Sequence, residues 1–297
     1  MRVFAHGLLL VSLTAAVAGA GPVLTAQKKD AATVLAAARQ ALGGEKKLAA
    51  VTSFTATGRT RQVRGENLVP IEFELSVEFP DKYLRKDEIP AQETGATGSG
   101  FNGDELLIDP PPPVPMPDPV RKARLATLKQ DFARLALGMF AGSFSAYPLT
   151  FTYVGEAVAP QGKADVIDGK GPDNFTLRLF VNSDTHLPIM VSWQAPAGRG
   201  GMPPGAAGMR PPAPPSGTPP SGTPPSGAAP TGAPAAGVTA PRPVQFYLYF
   251  ADYRDVDGLQ LPFRIRRATG ADTTEETTID RYKLNPKIDP KKFEVRK

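Results

Sequence analysis

Alternation of apolar and polar residues dominates this chain. In the stretch IEFELSVEF, Ile71, Phe73, Leu75, Val77 and Phe79 occupy every second position, and Glu72, Glu74, Ser76 and Glu78 fill the gaps. Successive side chains of a strand point to opposite faces, so the pattern predicts a half-buried antiparallel strand. NFTLRLFV repeats it, with Phe175, Leu177, Leu179 and Val181 inward. LPFRIRR sets Leu261, Phe263 and Ile265 against Arg264 and Arg266. In VQFYLYFADY, Phe246, Leu248 and Phe250 share one face, with Tyr247, Tyr249 and Tyr253 on the other. Further strands are expected near 54–63, 83–88, 105–109, 149–157, 163–168, 188–194, 244–253 and 273–284.

Two segments switch to helical spacing. AATVLAAARQAL, residues 31–42, follows Asp30 as N-cap and stops at Gly43–Gly44. Residues 119–140 place Val120, Leu125, Leu128, Phe132, Leu135 and Met139 at helical spacing, the last five of them three or four apart. Many strands with few helices predict a mainly β, α+β fold. It is a large curved antiparallel sheet, or an unclosed β-barrel, with two to three helices on its concave face.

Two stretches read as insertions into that fold. Residues 195–243 are rich in Pro, Gly and Ala, repeat SGTPP and carry almost no large apolar side chain. Such a tract cannot bury enough surface to offset its ordering entropy, so it is expected to be disordered. It reads as an expanded loop between two strands. The shorter PPPPVPMPDP, residues 110–119, separates a strand from the second helix. Residues 27–297 are therefore expected to form a single domain, interrupted twice.

The N-terminus changes the setting. Arg2, an apolar run over 8–18 and then small residues have the layout of a secretory signal peptide, cleaved after Ala20 or Ala26. The run is shorter than the ~20 residues of a membrane span. No cysteine follows it to carry a lipid, so residues 1–26 are expected to direct a lipid-free protein to the periplasm. The chain of 297 residues has no cysteine at all, which removes disulfides, thiol catalysis and Cys–metal sites together. A formal charge of +5 without a dense Lys/Arg stripe argues against nucleic acid and permits transient membrane contact.

Candidate chemistry is sparse. Asp252, Asp255 and Asp257 crowd ahead of Gly258, but their spacing lacks the closing glutamate of a calcium loop. Asp-Gly between two alternating runs is instead a hairpin turn. IDGKGPDN, residues 167–174, reads as another Gly- and Asp-rich hairpin loop. GSGFNG matches G-x-G-x-x-G through Gly98, Gly100 and Gly103, yet a short strand and a proline run follow it where a dinucleotide site needs a helix. It reads as a flexible loop. His6 lies in the leader, so His186, beside a turn, is the one histidine left. No nucleophile elbow is present, and no enzyme, metal or cofactor is expected.

Three stretches together resemble a known family. LRLFVNSDTHLPIMVSW, YFADYRDVDGLQLPFRIR and TIDRYKLNPKIDPKKFEV are similar to the C-terminal half of the LolA/LolB-like superfamily of periplasmic lipoprotein carriers. AARQALGGEKKLAAVTSFTATGRT resembles the first helix and strand of such exported proteins. The resemblance implies an unclosed barrel whose helices plug the concave side, with an apolar cavity for acyl chains. The superfamily also includes envelope sensor modules, so the runner-up reading is an envelope protein-interaction or regulatory sensor module in which the Pro-rich tract is a tether. The expected ligand is the acyl chains of a lipid or lipoprotein, held by a monomer. Phe73, Leu75, Val77, Leu177, Leu179, Phe246, Leu248, Phe263 and Ile265 are the candidate cavity wall. Leu125, Leu128, Phe132 and Leu135 are candidates for the inner face of a lid helix.

Overall fold

The computed structural model describes residues 29–92, 95–159, 162–196 and 243–294. The expected leader and nearly all of the Pro-rich tract lie outside the described residues. The chain opens with α1 (Ala31–Ala41) and a short α2 (Glu45–Ala49). A meander follows: β1 (Ser53–Arg64), β2 (Asn67–Glu78), β3 (Lys82–Glu88), β4 (Thr97–Asn102) and β5 (Glu105–Asp109). After α3 (Asp118–Phe140) the chain forms β6 (Thr150–Ala159), β7 (Gly162–Lys170), β8 (Thr176–Asn182) and β9 (Pro188–Pro196). It ends with β10 (Pro243–Val256), β11 (Leu259–Thr269), β12 (Asp272–Leu284) and a single 3-10 turn, Pro290–Phe293.

All twelve strands form one antiparallel sheet in the order β5-β4-β3-β2-β1-β12-β11-β10-β9-β8-β7-β6. Every neighbour is a hairpin neighbour except at the centre, where β1 pairs with β12. β5 and β6 are the two edges, and residues 110–149, which include α3, connect them. α3 packs against β4 and β5 at one side of the sheet and against β8, β9 and β10 at the other, so the sheet curls around it and α3 lies across the hollow side. α1 and α3 bury their apolar faces there, in one continuous core with the inward residues of nearly every strand. A small second core sits on the outer face, where Ile288 and Phe293 cover Leu84 and Leu107.

The local signals behave as the sequence predicts. Asp30 caps α1, its carboxylate accepting from the Thr33 N–H at 2.7 Å. Phe73, Leu75 and Val77 on β2, Leu177, Leu179 and Val181 on β8, and Leu261, Phe263 and Ile265 on β11 are all buried. Asp257 and Gly258, with φ of 54° and 81°, close a two-residue turn between the paired Val256 and Leu259.

Several expectations need correction. GSGFNG is not a flexible loop: residues 97–102 are β4, paired on both sides. Its small residues hide the apolar alternation. Ile167 to Lys170 belong to β7, so that hairpin loop is shorter than expected. Ala195, Pro196 and Pro243 are strand residues, with Pro243 opposite Pro196. The Pro-rich tract thus leaves and re-enters at one point between adjacent strands. α3 begins at Asp118, inside the shorter proline insert, and its Val120 is 53 % exposed, not part of the apolar stripe. Tyr253 is not on the outer face: its hydroxyl donates to Pro188 O at 2.7 Å and contacts Gly138 O of α3 at 3.3 Å. The preceding residue, Asp252, has a left-handed φ of 55°, which breaks the alternation of β10 there.

Candidate functional site: a cavity on the concave face beneath α3

The acidic cluster that attracts notice in the sequence belongs to the β10–β11 hairpin. Asp252 forms two bonds to its neighbour Arg254, at 3.1 and 2.5 Å. That contact holds its carboxyl below the ordinary range. Asp255 accepts from the Gly258 N–H at 3.1 Å, and Asp257 occupies the turn itself. His186 is exposed in the β8–β9 turn with a φ of 57°. Among the described residues no group of three or more carboxylates and histidines is placed to hold a metal.

The hollow of the sheet holds a cavity of about 50 Å³, roofed by Asp131, Leu135 and Met139 of α3. That volume holds about four water molecules. Its apolar wall comes from Phe73 and Leu75 of β2, Leu248 of β10 and Ile265 of β11. Its polar wall comes from Tyr83 and Arg85 of β3, Arg267 of β11, and Glu275 and Thr277 of β12. Burial pushes the Tyr83 phenol well above its usual range.

The polar wall is a connected network. The Arg85 Nε donates to Asp87 Oδ1 at 2.7 Å, and an Nη donates to Thr60 Oγ1 at 3.1 Å. Thr60 and Thr277 join through their hydroxyls at 2.9 Å. Thr277 donates to Glu275 Oε1 at 3.3 Å, and Arg267 stands 3.9 Å from that same oxygen. The Arg85 guanidinium also lies 4.7 Å above the Phe73 ring, where a cation meets the negative face of the π-system. On α3, Arg134 donates to Asp131 at 2.8 Å and stacks on Trp193 at 4.2 Å and Phe175 at 4.7 Å.

The structure separates the sequence-predicted wall into two groups. Phe73, Leu75, Leu248 and Ile265 face the cavity. Val77, Leu177 and Leu179 are buried in the core that α1 and α3 complete, and they do not line it. Phe263 is covered by the Arg254 guanidinium at 4.5 Å and packs edge-on to Tyr282. Phe246 is half-buried and stacks on Trp193 at 5.7 Å. Of the lid candidates, Leu135 roofs the cavity, whereas Leu125, Leu128 and Phe132 pack elsewhere in the core. The charged wall is absent from the sequence-based set. Its one signal is parity: Arg85 shares a face with Tyr83, and Glu275 and Thr277 share one with Ile279. A strand with polar residues inward has the same pattern as one with polar residues outward.

No family model and no curated protein matches the chain. Solved structures do. A LolA superfamily protein from Nitrosomonas europaea superposes with a TM-score of 0.52 at 12% identity, over 90% of this chain and 98% of that one. A putative outer membrane lipoprotein-sorting protein domain from Vibrio parahaemolyticus gives 0.45 at 7% identity, over 89% and 97%. A DUF1329 family protein from Desulfovibrio piger gives 0.44 at 9% identity, over the same shares. The first of these shows that the chain has the LolA-type fold.

Proposed function

We propose that this protein is a non-enzymatic periplasmic binding protein that holds an apolar chain, from a lipid or an acylated protein, beneath α3. The observation that carries the reading is the roofed hollow. The apolar concave face of the sheet is spanned by one helix and retains a small cavity under it. The cavity of about 50 Å³ is too small for an acyl chain, so binding requires α3 to move. The two ends of α3 differ in the way a lid needs. Its first residues, Asp118 to Ala123, are exposed, and residues 131–139 are buried except half-buried Leu135. The C-terminal half is also pinned, because Gly138 receives the Phe250 ring and Tyr253 bonds the Gly138 carbonyl. α3 would swing from that end. Each CH₂ then buried adds about 0.8 kcal/mol, so a long chain binds without a specific polar contact.

The test is fluorescence titration with the neutral apolar probe N-phenyl-1-naphthylamine, followed by displacement with phospholipid. The reading predicts saturable one-to-one binding. Leu135→Trp, which fills the roof of the cavity at a half-buried position, is expected to weaken it about tenfold while the protein stays folded. Absence of saturable binding to the wild type would overturn the reading.

A further inference from the structure

The lined hollow has a charged end that an apolar chain does not use. Three guanidinium groups stand near it, and each already faces a carboxylate: Arg85 with Asp87, Arg267 with Glu275, and Arg134 with Asp131. Two carboxylate oxygens are left over. Asp131 Oδ2 and Glu275 Oε2 are buried and receive no hydrogen bond from any protein group. Both residues line the cavity, and they are 4 % and 3 % exposed. One buried donor is also unmatched, Arg134 Nε, but Arg134 does not line the cavity and its guanidinium lies against Trp193. Among the side-chain atoms of the cavity residues that are shut away from solvent, the unmatched ones are therefore acceptors, one from the lid and one from the sheet; Arg267, which also lines the cavity, stands 3.9 Å from Glu275.

Resting on the apolar-chain reading above, we propose that this end of the cavity selects amphiphiles whose polar head donates hydrogen bonds, such as a primary ammonium, over anionic heads. Asp131 Oδ2 and Glu275 Oε2 would accept from the head while Phe73, Leu75, Leu248 and Ile265 cover the chain. A buried acceptor left unmatched carries its full desolvation cost, so a donor that reaches it recovers that cost. A carboxylate or phosphate placed beside those two oxygens meets like charge, and the guanidinium groups of the wall, Arg85 and Arg267, are already set against Asp87 and Glu275. The preference runs against the formal +5 of the chain, which by itself attracts anions.

The experiment uses two amphiphiles with the same chain, dodecylammonium chloride and sodium dodecanoate. Both are kept below their micelle concentrations at neutral pH and scored by displacement of N-phenyl-1-naphthylamine. The wild type is expected to favour dodecylammonium by about tenfold or more, the worth of one charge-assisted bond. Glu275→Gln and Asp131→Asn are each expected to shrink that ratio by about tenfold, with dodecanoate affinity held or raised. Retained dodecanoate binding certifies that each variant is folded. Equal affinities or a preference for dodecanoate in the wild type would overturn the proposal and leave the apolar-chain reading standing. So would a ratio that neither substitution moves. If neither amphiphile displaces the probe, or the probe itself does not bind, the apolar-chain reading falls and this proposal falls with it.

Discussion

Single residues fix how α3 meets the sheet. A Cβ at Gly138 would lie 1.9 Å from the Phe250 ring, so the glycine is the socket for that ring. Gly138→Ala is expected to cost about 2 kcal/mol in chemical denaturation. Combining it with Phe250→Leu should recover part of the loss, because the two residues share one contact. Arg134 is a second control point. Replacing it with Leu strands the Asp131 carboxylate inside the core, at a cost of about 3 kcal/mol or more. Trp193 is the only tryptophan and lies under that guanidinium, so its emission spectrum should shift in the same variant. These contacts are the part the sequence conceals. Asp252 carries no mark that it will take a left-handed backbone and turn Tyr253 inward. Arg85 and Glu275 have the composition of surface residues and become interior ones through strand parity alone.

Elements are more legible, and their misses have physical causes. Strands with one apolar face declare themselves by period two, and α1 by its cap and its glycine stop. β4 escapes notice because Gly98, Ser99 and Gly100 offer no side chain large enough to show the period. The stripe drawn on α3 places Val120 wrongly because the curled sheet buries more than one side of the C-terminal half and leaves the N-terminal half in water. The cap of α1 yields a pH prediction. Backbone bonding from Thr33 lowers the Asp30 pKa, so its contribution is present above the ordinary carboxylate pKa and is lost as pH falls through the lowered value. Asp30→Asn keeps a capping acceptor and does not titrate, so its Tm should fall less steeply in acid than the wild type's. The lid role of α3 is tested by a tether. Lys129 on α3 bonds Asp104 in the β4–β5 turn at 2.7 Å, and the chain contains no cysteine to interfere. Lys129→Cys with Asp104→Cys, joined by a short cleavable cross-linker, should lower probe affinity about tenfold or more. Cleavage should restore it. Unchanged affinity in the tethered protein would show that α3 does not open at that end.

At the scale of the whole molecule, the meander starts and ends near the sheet centre, and α3, carried on the connection between the two edges, packs against strands of both halves. The sheet curls around it, and the hollow face follows. The Pro-rich tract is an addition to this plan, because strand pairing is complete to its root at Pro196 and Pro243. Replacing residues 197–242 with a short glycine turn is expected to leave thermal stability and probe affinity within error of the wild type. The resemblance stated from sequence captures this architecture, because hairpin turns and strand alternation specify a fold. It implies an apolar cavity but not that cavity's small size or its charged wall, which depend on how far α3 fills the hollow. The central claim, a chain held beneath α3, is tested most directly by native mass spectrometry of protein recovered from a bacterial periplasm, with lipid extraction of the same sample. The account predicts a one-to-one adduct with the mass of a phospholipid or acylated peptide, absent from Leu135→Trp. A bare protein mass that persists after incubation with phospholipid vesicles would contradict it.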